Sequence, residues 1–326
     1  MNGRFVGWLV GVAAVVAVTV AAPAPSGALG DAAGFAASAS AQGMRVTFTV
    51  PGFAAVEDVI DGGGPVAQAG MDGQGATSSA DLPYPGDVVL AGPGLFNAVT
   101  GMNAPGAYPF HVAASHPTAP EQSLSDPGGF YRLRATAGES GASGLAGVGP
   151  GGEGSNPGPA GAQSIAMVTR NGDTIVARAE TVNRALAFGD GAVTIASVRS
   201  RSVTTYAQGA EAATTDVETI VEGGAAGGYQ FRFGPGGLVV ANQAGQLPAA
   251  EGLRQLNAAL EPSGIALRVI DGARRAGGGS ADSLEIIFRY PRPNAEIPAG
   301  ILRIRLGGAS TAVIVGAASS SEVTTP

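Results

Sequence analysis

Runs in which small or apolar residues alternate with polar ones, cut by Gly, Pro and Asp-Gly, make up most of this chain. In residues 36–50, AASASAQGMRVTFTV, small residues alternate first, followed by Val46, Phe48 and Val50. That period of two marks a half-buried strand, and Pro51-Gly52 ends it. The segments FAAVEDVIDGGGPVAQAGMDGQGATSSADLPYPGD and VVLAGPGLFNAVTG read as short strands joined by turns. In GFYRLRATAG, Tyr131, Leu133 and Ala135 share one face, while Arg132, Arg134 and Thr136 share the other. Residues 138–161, GESGASGLAGVGPGGEGSNPGPAG, have the composition of a flexible loop or linker.

Strands resume at Ser164, and Asn171-Gly172 and Asp190-Gly191 are dipeptides suited to type I′ hairpin turns. Between them Ala177, Ala179, Thr181, Ala185 and Ala187 share one parity, and Val176, Arg178, Glu180, Val182 and Arg184 the other. Ala192, Thr194, Ala196 and Val198 repeat the small face after the second turn. Such faces let two sheets approach closely, with charges pairing on the outside. From Gly223, GGYQFRFGPGGLVVANQ reads as strand, turn, strand. The period then changes: Leu253, Leu256, Asn257 and Leu260 form one helical face, started near Pro248 and stopped by Pro262 and Gly264. Ile265, Leu267 and Val269, then SLEIIFRYP, GILRIRLGG and TAVIVGA, read as strands, with Arg303 and Arg305 opposite Leu302, Ile304 and Leu306.

The pattern predicts a mainly β protein. An extended antiparallel, sandwich-like domain over 29–222, with the Gly/Pro-rich loop at 138–161, is followed by a small α+β domain over 223–316 with one helix on a sheet. Residues 317–326 read as a disordered tail.

The first 28 residues change the picture. Arg4, an apolar run from Phe5 to about Ala22 and the small-residue exit APAPSGALG read as a secretory signal, with a mature chain from about Leu29. An uncleaved membrane anchor is the alternative, the run being long enough to span. Either way the expected location is extracytoplasmic, secreted or at the cell surface. Trp8 is the sole tryptophan and Cys and Lys are absent, so stability rests on burial and hydrogen bonds without disulfides. The net charge of −7 and the lack of basic clusters argue against nucleic acid or an anionic membrane surface as partner.

Composition also limits the chemistry. Without Cys there is no thiol catalysis, and without Lys no Walker A loop. GPGGEG at 149–154 matches a dinucleotide fingerprint but follows no clear strand and opens no helix. His111 and His116, with Glu121 and Asp126 nearby, lack zinc-helix spacing, and no GxSxG elbow occurs. Glu57, Asp58 and Asp61 beside Gly62-Gly63-Gly64 offer paired carboxylates, with Asp58 and Asp61 the weak metal candidates. Arg178, Arg199 and Arg201 form either an anion-binding ridge or a solvated face neutralised by Glu180, and Tyr84, between Pro83 and Pro85, is a candidate partner contact. No catalytic residue and no cofactor is implied.

LRQLNAALEPSGIALRV and ILRIRLGGASTAVIVGA resemble the C-terminal parts of uncharacterised secreted, cell-surface proteins of actinobacteria, over roughly the last hundred residues. ALEPSGIALRV is also similar in shape to the helix–strand step of small periplasmic modules of secretins and TonB-dependent receptors. The resemblance implies an extracytoplasmic surface protein and transfers no functional residue. The expected function is thus non-catalytic: an exported structural or adhesive protein of the envelope, whose partner is envelope material or another surface protein. A binding module for a wall polymer or other ligand is the alternative, and an envelope hydrolase the third. A groove of Glu57, Asp61 and His116 would favour catalysis, a flat sheet structure or adhesion, and a ligand-sized concavity lined by Tyr and Arg a binding module.

Overall fold

The structure, a computed structural model, describes residues 34–51, 58–83, 110–149, 160–242, 245–291 and 299–316. The expected signal segment, Glu57, Tyr84 and the C-terminal tail lie outside the described residues.

The chain first lays down β1 (Phe35–Thr49), β2 (Asp58–Gly63), β3 (Val66–Asp72), β4 (Ala76–Asp81) and β5 (His111–His116) in one sheet, sheet I. It then crosses to sheet II for β6 (Glu121–Ser125), β7 (Tyr131–Gly138), β8 (Gly141–Val148), β9 (Gly161–Asn171) and β10 (Thr174–Phe188). Sheet II continues with β11 (Val193–Ala207), β12 (Thr214–Ala226), β13 (Tyr229–Gly234), β14 (Gly237–Asn242) and β15 (Gly245–Leu247). After helix α1 (Ala249–Leu260) the chain returns to sheet I as β16 (Ile265–Ile270), β17 (Ala273–Arg275), β18 (Gly278–Ser280), β19 (Ser283–Tyr290) and β20 (Gly300–Val315).

Sheet II is an antiparallel meander in chain order, as strands joined by tight turns require. Sheet I runs β16-β19-β20-β1-β3-β4-β5, so the first and last described strands meet at its centre, where β1 and β20 pair from Phe35↔Val315 to Thr49↔Ile301. The mainly β architecture is that read from the sequence. The boundary expected at 222/223 falls inside β12, and the strands after it complete the sheet that β1 begins.

Helix α1 packs against β14 and β16 and buries Leu256 and Leu260. Asn257 on the same face donates to the Leu267 carbonyl at 3.0 Å and accepts from its N–H at 2.7 Å. The side chain thus imitates a neighbouring strand along the outer edge of β16, which keeps that edge from pairing with another chain.

The interior has two halves. One is built of small residues, among them Ala37, Ala39, Ala41, Ala69, Ala135, Ala177 and Ala179. The other holds Ile195, Val221, Phe231, Leu256, Leu284, Ile286 and Leu306. Five strands change face where the halves meet. In β1, Ala37, Ala39 and Ala41 point inward, but past Gly43 the inward residues are Met44 and Val46. In β20, Ile304 and Leu306 point inward before Gly307, and Ala309, Thr311 and Val313 after it. Strands β10, β11 and β12 invert at the same level, near Ala185, Ala196 and Gly223. Gly307, Gly223 and Ala185 have φ of 77°, 62° and 53°, and a left-handed residue breaks the pleat so that alternation restarts on the other face.

This inversion corrects the expected small face of the long hairpin. Ala177, Ala179 and Thr181 are buried, but Ala185 and Ala187 are exposed and Leu186 and Phe188 turn to the core instead. Likewise Val193 and Ile195 are buried, while Thr194 and Ala196 face out. One turn type is also corrected. Asp190-Gly191 has positive φ at both residues and an Ala192 N–H to Gly189 carbonyl bond of 3.0 Å, as type I′ demands. At the other turn the loop is Gly172-Asp173, and only Gly172 has positive φ, the sign pattern of type II′. The linker expected over 138–161 is replaced, over Gly141–Val148, by strand β8.

The small half brings the sheets together closely enough for side chains of one to bond the backbone of the other. Ser164 donates to the Pro65 carbonyl (2.7 Å), Asn183 to the Gly43 carbonyl (2.8 Å) and Ser78 to the Thr136 carbonyl (2.9 Å). Ser202 and Thr204 both meet Thr311, at 2.7 and 2.8 Å. Alanine buries little apolar area, and each such bond adds about 1 kcal/mol on average.

Candidate functional site

The face inversion determines which side chains point out of sheet I. Arg303 and Arg305 have the parity of Ala309, Thr311 and Val313, which are or line the core. The break at Gly307 places the arginines on the outer face, and the break at Gly43 does the same for Arg45 and Thr47. Register then gathers them. Arg305 stands opposite Arg45 on one side and Glu285 on the other, and Glu285 stands opposite Arg268. Arg303 stands opposite Thr47.

These six residues line a cavity of about 360 Å³. Glu285 is 2% exposed, takes a hydrogen bond from Arg268 Nη2 at 2.7 Å, and lies 3.7 Å from Arg305 Nη2. Arg45 makes a two-pronged bond to Asp61 on β2, Nε to Oδ1 at 2.9 Å and Nη2 to Oδ2 at 2.7 Å. Arg303 Nη1 donates to Thr49 Oγ1 at 2.9 Å. The Nε of Arg305 is buried without a hydrogen-bond partner. Like charges directly opposite across two strands destabilise a sheet. Here Arg45 and Arg305 are held so, over a concavity whose lining residues, among those described, are all charged or polar. Such an arrangement attracts anions and offers them several convergent N–H donors.

The arginines singled out from sequence lie on the outer face of sheet II. Arg178 and Arg199 both bond Glu180, at 2.7 and 2.9 Å. Burial pushes the Glu180 carboxyl up, but the hydrogen bond from Arg178 and the charge and hydrogen bond of Arg199 outweigh it and leave it below the usual carboxylate range. Arg201 stands between Glu180 and Glu218. The register therefore brings Arg178, Arg199 and Arg201 together, interleaved with carboxylates.

The remaining candidates are dispersed. Asp58 opens β2, and Asp61 is engaged by Arg45. His111 Nδ1 contacts Asp81 Oδ1 at 2.6 Å, whereas His116 lies at the far end of β5. Glu121 pairs with Arg134 at 3.0 Å, and Asp126 accepts from the Phe130 N–H at 3.2 Å. Among the described residues no three His, Asp or Glu side chains are grouped to hold a metal, and no helix is long and apolar enough to cross a membrane. A second recess, at Phe130, Tyr131 and Gly149, has about 30 Å³, room for about one water.

Sequence reasoning placed Arg303 and Arg305 on a polar strand face but did not connect them with Arg45, Arg268 or Glu285. The usable signal was the Gly at each break in alternation, QGMRV and RLGGAS, with arginine on its strand-ward side.

No protein-family model matches the chain, and no curated protein matches it. Among solved structures it is similar to the crystal structure of Pseudomonas aeruginosa OccK9 (OpdG) at 9% identity, over 86% of this chain and 98% of that one. The TM-score is 0.15.

Proposed function

We propose that the protein is a non-catalytic, extracytoplasmic binding module that takes an anionic ligand of the cell envelope in the arginine-lined cavity of sheet I. The concavity with its opposed Arg45 and Arg305 carries this reading. It favours a binding module over a purely structural or adhesive protein, for which a flat, charge-balanced face is the expected surface. The outer face of sheet II, where Arg178 and Arg199 share the Glu180 carboxylate and Arg201 lies between Glu180 and Glu218, suits that second role. The signal-like N-terminal sequence supports the location.

Co-sedimentation of the purified protein with isolated envelope tests the reading. Retention is expected, with release by salt as the exposed arginines are screened. Arg305→Ala is expected to weaken retention about tenfold, the loss of one charge-assisted hydrogen bond of ~1.5 kcal/mol or more. Retention indifferent to both salt and this substitution, or no retention at all, would overturn it.

A further inference from the structure

We infer that the outer face of sheet II is a homodimer interface, on which a second copy of this chain packs face to face about a twofold axis running along the strands. The inference is separate from the anion-binding reading, which concerns the opposite sheet.

The side chains of this face reverse the usual order. An antiparallel sheet with one wet face buries its apolar residues and turns polar ones outward. In β8, β9 and β10 the larger apolar side chains point outward instead. Leu145 lies between inward Gly144 and Ala146, Ile165 and Met167 flank inward Ala166, and Val176 precedes inward Ala177. The close approach of the two sheets explains the small inward residues, but it makes no demand on the outward ones. Outward Val203 on β11 widens the patch, and Phe130, just before β7, is 57% exposed and lines the small recess with Leu145. An apolar area of this kind, rimmed by charge, marks a protein contact surface. Six strands, β7 to β12, at ~4.8 Å spacing and about eight residues long at ~3.4 Å each, present roughly 800 Å², the area each partner of a standard interface buries.

Charge selects the occupant. Register runs one row across the face from Arg134 through Leu145, Ile165, Glu180 and Arg201 to Glu218. Its β7 end is basic, with Arg132 beside Arg134, and its β12 end is acidic, with Asp216 beside Glu218. Arg134 is shared with Glu121 in an exposed pair, but among the described residues Arg132, Asp216 and Glu218 make no ion pair. The unpaired charges thus have opposite signs at opposite ends of one face. A twofold axis along the strands, between β9 and β10, lays β7 of one copy over β12 of the other, so each basic end meets an acidic end. At the centre Glu180 is already held by Arg178 and Arg199, so covering it strands no carboxylate. Face-to-face packing with nearly aligned strands is a standard arrangement of two sheets, and a twofold pair is the commonest oligomer. The sheet I faces of such a pair point away from each other and leave both arginine-lined cavities open.

Size exclusion with light scattering, backed by sedimentation equilibrium on the purified protein, tests the inference. Wild type is expected to be a dimer at micromolar concentration. Ile165→Arg, which puts a charge beside the axis, is expected to give a monomer. Reversing the basic end (Arg132→Glu with Arg134→Glu) or the acidic end (Asp216→Arg with Glu218→Arg) puts like charges opposite, and each is expected to weaken the dimer about tenfold or more. All four substitutions in one chain restore opposite signs and are expected to bring the affinity back to within about threefold of wild type, the non-additivity that marks a direct contact. Thermal melts check that every variant folds. A wild type that stays monomeric overturns the inference. So does a dimer that survives Ile165→Arg and both reversals, or one that the fourfold variant does not recover.

Discussion

At the scale of the residue, Asp81 and His111 show how a buried carboxylate is kept in a small-residue core. Asp81 ends β4 and His111 begins β5, directly opposite, and the Asp81 side chain is 4% exposed. Its hydrogen bond to His111 raises the histidine pKa above the ordinary 6.5, burial pulls it back, and the charge of Asp81 raises it again. A group whose folded pKa lies above its unfolded one stabilises fully below about 6.5, and loses that contribution as pH rises through the folded value. Wild type is therefore expected to be more stable than His111→Asn at pH 6, with the difference shrinking towards pH 9. Urea denaturation at several pH values measures it. Parallel profiles for the two proteins would show that the pair does not couple to folding.

At the scale of the element, β8 shows what tight sheet packing demands. A Cβ on Gly144 would lie inside van der Waals contact of the Ser79 carbonyl oxygen and 2.8 Å from that of Gln68, both backbone atoms of the facing sheet. On the same strand, a Cβ on Gly147 meets nothing nearer than Gln163 Cγ at 3.8 Å. Gly144→Ala is expected to destabilise by about 1–3 kcal/mol, as over-packing does, and Gly147→Ala to lie within about 0.5 kcal/mol of wild type. Equal urea midpoints for the two variants would contradict the close approach. The same strand marks the limit of reading from sequence. ASGLAG has no β-branched residue and sits in a Gly/Pro-rich stretch, so composition reads as linker; its small residues are instead set by the opposite sheet, which no local pattern contains. Strands with Val, Ile and Phe alternation, the helix face of Leu256 and Leu260, and its stop at Pro262 and Gly264 were legible because local chemistry decides them. The face inversions were not, because period-two reasoning assumes unbroken parity. The cavity was half legible: Arg303 and Arg305 share a face by spacing, but Arg45, Arg268 and Glu285 join them only through register between strands far apart in sequence.

At the scale of the whole molecule, the pairing of β1 with β20 decides how much of the protein folds alone. Strand β1 lies between β20 on one side and β2 and β3 on the other. Cutting after Glu222 would sever β12, leave one edge of β1 without its partner, and strip Leu284, Ile286, Ile304 and Leu306 from the second half of the core. It would also remove Thr311 and Gly279, the two partners of the buried Ser202 hydroxyl, at a cost of about 1–3 kcal/mol, while Thr204 keeps only its bond to Thr215. A single domain has only about 5–15 kcal/mol of net stability to lose. A fragment of residues 34–222 is therefore expected to show no cooperative thermal transition, although the composition of that stretch reads as a domain. The cavity divides along the same line, with Arg45 and Thr47 in one piece and Arg268, Glu285, Arg303 and Arg305 in the other. Anion binding is thus expected only from the intact chain, since β1 and β20 bring Arg45 and Arg305 together as they close the sheet. Circular dichroism melts of the fragment, paired with sulfate titration, measure both. A sharp transition in the fragment would show instead that sheet II with β1–β5 is self-sufficient and that the C-terminal strands merely dock on it.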